Sequence, residues 1–168
     1  MDAKHDKPDA YVETFMRDVN LYEVAPPKTL PPSTSARAAG VSQLVLIIED
    51  DPFVSGLLAD VLNTAGYEVK ATDSAFGAST LVRELQPSAV LLDIGLPFRP
   101  GTDLLDDLKF DPRTATIPVV VLSGLTESLT AERCALAAAV LAKPVDISRL
   151  LGVLLQACAQ SPPGTDTA

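Results

Sequence analysis

Short apolar runs alternate with segments of helical period along most of this chain. Leu44 to Ile48, Ala89 to Leu92 and Ile117 to Leu122 are nearly unbroken runs of aliphatic residues. Such runs are too short for helices and lack the alternation of a half-wetted strand, so they predict strands buried on both faces. Pro118 is tolerable at the start of its run. Two further strands are predicted at Tyr67 to Ala71 and Ala139 to Ala142. Between them the spacing predicts helices. The first runs from Pro52 to about Thr64, capped by Asp51 and stopped by Gly66, and the second from Ser74 to Leu85 with Leu81, Val82 and Leu85 inward. The third runs from Gly101 to about Phe110 with Leu104, Leu105 and Leu108 on one face. Thr126 to about Ala138 and Asp146 to about Ala159 complete the set, the last capped by Asp146. Five strand–helix units with short connections predict an α/β domain over residues 43–160. Its core is a doubly wound, five-stranded parallel sheet with helices on both faces and right-handed crossovers.

Residues 1–42 break this pattern. Pro26, Pro27, Pro31 and Pro32 make residues 25–40 a turn-rich linker. Ahead of it, Val12, Phe15, Met16, Val19 and Tyr22 recur at helical spacing behind a possible Asp9 cap, which predicts a short amphipathic helix. So short a helix is marginal alone. It is expected to dock, on the domain's own surface around its fourth helix, fifth strand and last helix or on a second copy in a homodimer, the alternatives being a partner-binding arm and plain disorder. Ser161-Pro162-Pro163-Gly164 is expected to end the ordered part and open a disordered tail, 161–168.

Composition narrows the function. An apolar fraction of 47% excludes global disorder, and no apolar run approaches the roughly 20 residues of a membrane span. Met1 to Asp9 mixes charges of both signs and is not a secretory signal, so a cytoplasmic protein without membrane contact is expected. A net charge of −9 with no cluster of Lys and Arg argues against nucleic acid as a partner. His5, the single histidine, lies in the polar leader, which excludes histidine triads and histidine-rich metal sites. Cys134 and Cys158 have no partners at metal-ligand spacing and are expected to be buried free thiols.

The chemistry gathers where the strands end. Open α/β sheets bind ligands at the carboxyl edge of their strands. There the first strand delivers Glu49, Asp50 and Asp51, the third Asp93, the fourth Ser123-Gly124 and the fifth Lys143-Pro144. Converging carboxylates repel one another unless a divalent cation sits among them. Oxygen ligands without His or Cys select magnesium or a relative. A lysine and a hydroxyl beside such a metal suit the non-bridging oxygens of a phosphoryl group, with Asp93 as the nucleophile that accepts it as an acyl phosphate.

Glu49-Asp50-Asp51-Pro52, Leu91-Leu92-Asp93-Ile94-Gly95-Leu96-Pro97 with Gly101, Val120-Val121-Leu122-Ser123-Gly124 and Leu141-Ala142-Lys143-Pro144 resemble, in order and spacing, the receiver domain of bacterial two-component response regulators. The resemblance covers about 43–158. It implies the flavodoxin-like (βα)5 receiver fold with strand order 2-1-3-4-5. It implies Asp93 as the phosphoacceptor, and magnesium held by Glu49, Asp50, Asp93 and the Gly95 carbonyl. Ser123 would be the switch hydroxyl, Lys143 the phosphate-binding lysine, and the bond before Pro144 cis. A histidine kinase or histidine phosphotransfer protein would be the donor and a downstream protein the target, the chain acting as a stand-alone regulator rather than an enzyme.

The sequence departs from the family at three places. Val140 stands where a switch aromatic is usual, Gly124 where alanine is usual and Leu136 where glycine is usual. Phosphate capture is therefore expected to be intact, while transmission along the fifth strand lacks its ring. That departure keeps open an alternative, a receiver-like interaction module working without phosphorylation. An aspartyl phosphatase of the haloacid dehalogenase type is disfavoured because its second Asp would fall at Gly95.

Overall fold

The computed structural model describes residues 42–124 and 129–160. The leader helix, the linker and the tail expected from the sequence lie outside these residues. The elements follow in the order β1 (Leu44–Ile48), α1 (Pro52–Thr64), β2 (Glu68–Thr72), α2 (Ala78–Leu85), β3 (Ala89–Asp93), α3 (Gly101–Phe110), β4 (Val119–Ser123), α4 (Ala131–Leu136), β5 (Ala139–Ala142) and α5 (Ile147–Gln160). All strand pairings are parallel, in the order β2-β1-β3-β4-β5. This is the flavodoxin-like arrangement expected from the sequence.

Unbroken apolar runs became central strands because helices cover both of their faces. Every residue of β3 and β4 is buried, whereas every residue of the edge strand β2 is exposed or half-buried. The two-residue period of a strand divides its side chains between two cores. Leu46, Ile48, Val90, Leu92, Val119 and Val121 pack on one face with Val82 of α2 and Leu104, Leu105 and Leu108 of α3. Val45, Ile47, Leu91, Val120 and Leu122 pack on the other with Leu58 and Leu62 of α1 and Leu150 and Leu154 of α5. Leu81 and Leu85 only reach the rim of the first core.

Helix ends show where local chemistry overrode the apolar period. Asp51 caps α1 as expected, its Oδ1 accepting from the backbone N–H groups of Phe53 and Val54 at 2.8 and 3.2 Å. Asp146 caps α5 through the Arg149 N–H at 2.8 Å. The second helix starts at Ala78 rather than Ser74, because the Ser74 hydroxyl accepts from the Phe76 N–H and Gly77 takes φ +75°. A helix cannot run through that conformation. Helix α4 stops at Leu136, since Ala137 is extended and the Ala138 N–H already donates to the Val119 carbonyl at 2.8 Å. β2 and β4 each end one residue later than expected. Cys158 is buried, but Cys134 is exposed: the six-residue α4 buries none of its side chains fully.

Two side chains fasten the loop after α3. Lys109 Nζ donates to the carbonyls of Ala115 and Ile117 at 3.1 and 2.7 Å, and the Thr114 hydroxyl to the Leu108 carbonyl at 2.7 Å. At its other end the Gly101 N–H donates to the Ile94 carbonyl at 3.2 Å, and a Cβ on Gly101 would lie 2.2 Å from the Asp93 carbonyl oxygen. Only glycine lets α3 begin this close to the end of β3.

Gly101→Ala is therefore expected to cost about 3 kcal/mol, because backbone on both sides must move apart. The thermal midpoint should fall by about 10 °C. A midpoint within a degree or two of the native chain would mean that this approach constrains nothing.

Candidate functional site

The carboxyl edge of the sheet is where the polar strand ends meet. Glu49 follows β1, its N–H donating to the Thr72 carbonyl at 3.1 Å, and Asp93 closes β3. Ile48 lies in register with Leu92, so the two acids end adjacent strands. Both are buried, Glu49 at 2% and Asp93 at 5% exposure. Asp50 is exposed. One carboxylate oxygen from each of Glu49, Asp50 and Asp93 lies within 4.8 Å of the others.

Lys143 reaches into this cluster from the end of β5. Its Nζ stands 2.7 Å from Glu49 Oε2 and 3.0 Å from Asp93 Oδ2, so one ammonium spans both buried carboxylates. Its backbone N–H donates to the Ser123 carbonyl at 2.8 Å, and its bond to Pro144 is cis. Asp93 Oδ1 accepts from the Gly95 N–H at 3.0 Å, so both oxygens of this carboxylate are engaged. Ser123 closes β4 one residue beyond the register partner of Asp93 and is fully buried.

Burial and charge pull these groups in different directions. Burial raises the Glu49 carboxyl above its ordinary value; the Lys143 hydrogen bond opposes this, and the Asp93 charge adds to it. For Lys143, burial works to lower the ammonium, but its hydrogen bonds and attraction to Glu49 and Asp93 prevail, so it lies above its ordinary value. The lysine is thus firmly charged. A buried, uncompensated carboxylate beside another is costly, and Lys143 partly relieves that cost.

The structure brings together Glu49, Asp50, Asp93 and Lys143, with Ser123 and Gly95 at the same edge. It takes Asp51 away, since that carboxylate is committed to the α1 cap. The oxygen-only donor set and its spacing fit a hard divalent cation such as magnesium, the metal expected from the sequence. Val140 is half-buried and packs on the core under α3, with Leu136 and Ala137 beside it, while Ala135 and Ala138 are exposed. A Cβ on Gly124 would meet no atom within 4 Å, so that departure has no steric cause. Sequence reasoning assigned no part to Arg99, which pairs with Asp107, or to Arg133, which pairs with Asp103 and Asp106. Ion pairs between distant segments leave no local signature, although three aspartates within five positions of one predicted helix called for cations.

Comparison with known proteins agrees with this geometry. The family model of the response regulator receiver domain matches residues 45–155. The DNA-binding dual master transcriptional regulator RpaA of Synechocystis is 40% identical over 81 residues, covering 48% of this chain and 34% of that protein. The polar-differentiation response regulator DivK of Brucella ovis is 30% identical over 113 residues, covering 66% of this chain and 92% of its own. A crystal structure of a putative response regulator from Chloroflexus aurantiacus superposes with a TM-score of 0.66 at 30% identity, covering 71% of this chain and 99% of that one. This chain spans only about a third of the length of the transcriptional and DNA-binding regulators it matches. With the family match extending over the domain, the shared fold and the acidic cluster at the sheet edge, the chain belongs to the response regulator receiver family of two-component signalling.

Proposed function

We propose that this receiver accepts a phosphoryl group on Asp93 from the phosphohistidine of a histidine kinase or histidine phosphotransfer protein. It would pass the signal on by contact with a downstream protein. The observation that carries this reading is the placement of one ammonium and two further carboxylates around the Asp93 side chain. A carboxylate oxygen of Asp93 attacks phosphorus, the phosphorus–nitrogen bond breaks, and the donor imidazole keeps that bond's electron pair. In this reading Lys143 would neutralise charge on the phosphoryl oxygens, and Ser123 would offer its hydroxyl to one of them. Glu49, Asp50, Asp93 and the Gly95 carbonyl would hold magnesium, which when bound screens the carboxylates from one another and from the incoming group. The donor approaches an edge flanked by two exposed aromatics, Phe53 at the start of α1 and Phe98 in the loop after β3.

A cytoplasmic setting suits such a donor, and no helix among the described residues is long and apolar enough to cross a membrane. The net charge of −9 argues against nucleic acid as this chain's partner. The DNA binding named for the Synechocystis regulator belongs to a protein of which this chain matches a third. The second reading, an interaction module working without phosphorylation, is favoured by Val140 alone.

Incubation with acetyl phosphate and magnesium separates the two. The native chain is expected to take up label and Asp93→Asn to take up none, with the variant as stable as the native chain or slightly more so, because one buried charge is gone. A native chain that stays unlabelled, or an Asp93→Asn chain that labels equally, would refute the phosphoacceptor assignment.

Millimolar magnesium is expected to raise the thermal midpoint of the native chain by mass action and to leave Asp50→Ala unmoved. The pH dependence follows from Glu49. A carboxyl raised by burial penalises the charged form in the folded chain, so at this group the metal-free protein gains stability as pH falls through the raised value. Magnesium needs the charged form, so its stabilisation shrinks over the same range, beginning above pH 4.5. Equal magnesium shifts in the two proteins, or a shift that persists unchanged below pH 4.5, would remove these residues from the ligand set.

A further inference from the structure

Helix α4 is the most weakly founded element of the sheet's cover. It has six residues, none of them fully buried, and its cap bond from the Arg133 N–H to Thr130 Oγ1 is long at 3.4 Å. Leu136 packs on the core only in part. A helix this short does not hold itself, so tertiary contacts must place it. The specific polar contact is Arg133. Its Nη2 and Nε donate to Asp106 Oδ2 at 2.7 and 3.1 Å, and Nη2 also lies 3.5 Å from Asp103 Oδ1. Both aspartates stand on α3, one turn apart.

Helix α3 is in turn held against the phosphorylation edge. Gly101, its first residue, has no room for a Cβ beside the Asp93 carbonyl oxygen, so α3 begins in close backbone contact with the end of β3. Arg99 in the intervening loop pairs with Asp107 on the same helix. A continuous line of backbone contact and ion pairs therefore runs from Asp93 through α3 to α4. On β5, Val140 is an aliphatic side chain half-buried against the same core as Leu136.

We propose that Arg133 is the positioning residue of α4. Its ion pairs to Asp106 and Asp103 act as a latch that sets the resting place of α4 and link it to the state of Asp93, where the ring of a switch aromatic is missing. The link to Asp93 rests on the phosphoacceptor reading given above; the latch itself does not. The α3–α4 contact offers a route by which a change at the phosphorylation edge can reach α4. A coupling of this kind is established only by showing that both ends bias one element.

Amide hydrogen exchange of residues 131–136 in the full chain reads the latch directly, with residues 89–93 of β3 as the control for an intact fold. In unphosphorylated protein, Arg133→Gln is expected to speed exchange of α4 by about two- to fivefold, the range for a partly exposed ion pair, with β3 unchanged. Asp106→Asn should do the same to a lesser degree, because Asp103 remains. The double variant should match Arg133→Gln alone, as residues sharing one interaction do. The charge-exchanged pair Arg133→Asp with Asp106→Arg should restore part of the protection. Acetyl phosphate with magnesium should change α4 exchange in the native chain and change it less in Arg133→Gln. Native α4 exchange in Arg133→Gln, or additive effects in the double variant, would overturn the latch. A chain that labels at Asp93 with identical α4 exchange before and after would overturn the link. A chain that never labels refutes the receiver chemistry instead, and the unphosphorylated comparison still decides the latch.

Discussion

Two buried carboxylates on adjacent strands, Glu49 and Asp93, share the single ammonium of Lys143, and the rest of the fold serves to keep them there. Like charges at such range in a poorly solvated site repel strongly, and the folded chain tolerates them only with cationic compensation. One lysine is not enough. With Asp50 at the rim, the three carboxylates less one ammonium leave two net negative charges, the complement of a divalent cation. A phosphoryl group arriving at Asp93 adds further negative charge to the same small volume. In the proposed reading, compensation by the ammonium and by a bound cation would matter both before and after transfer. The site thus carries an electrostatic cost in the resting chain that a bound divalent cation would offset.

The parallel sheet makes this concentration of charge possible. Parallel strands point the same ends in the same direction, so residues far apart in sequence converge on one edge, as Glu49 and Lys143 do across 94 positions. The two apolar cores hold β1, β3 and β4 rigidly by burying their side chains on both faces. The helices that follow those strands differ in their anchorage. Helices α1 and α3 bury leucines deeply, whereas α4 depends on partial burial and on Arg133. The element least committed to the core is thus α4, the one whose placement leans most on polar contacts.

Much of this was legible in the order of residue types. Ala89 to Asp93 announces a buried strand ending in an acid, because a fully apolar run has no other place in an α/β domain. Asp51 before Pro52 announces a helix start for equally local reasons. What failed was governed by single backbone conformations or by packing from elsewhere. The start of α2 depends on the positive φ of Gly77, and the end of α4 on a hydrogen bond to Val119, neither of which has an apolar period. Cys134 looked buried because alanines surround it, yet α4 turns it outward. The closeness of Gly101 to Asp93 and the pairing of Arg133 with Asp106 are three-dimensional facts that no window of sequence contains.

The central claim is that the carboxylate of Asp93, rather than one of its acidic neighbours, forms the acyl phosphate. Reduction of the phosphorylated chain with borohydride converts an aspartyl phosphate to homoserine, and peptide mass spectrometry then locates it. Homoserine is expected at position 93 and at neither Asp50 nor Asp51. Homoserine at either of those positions, with Asp93 intact, would contradict it.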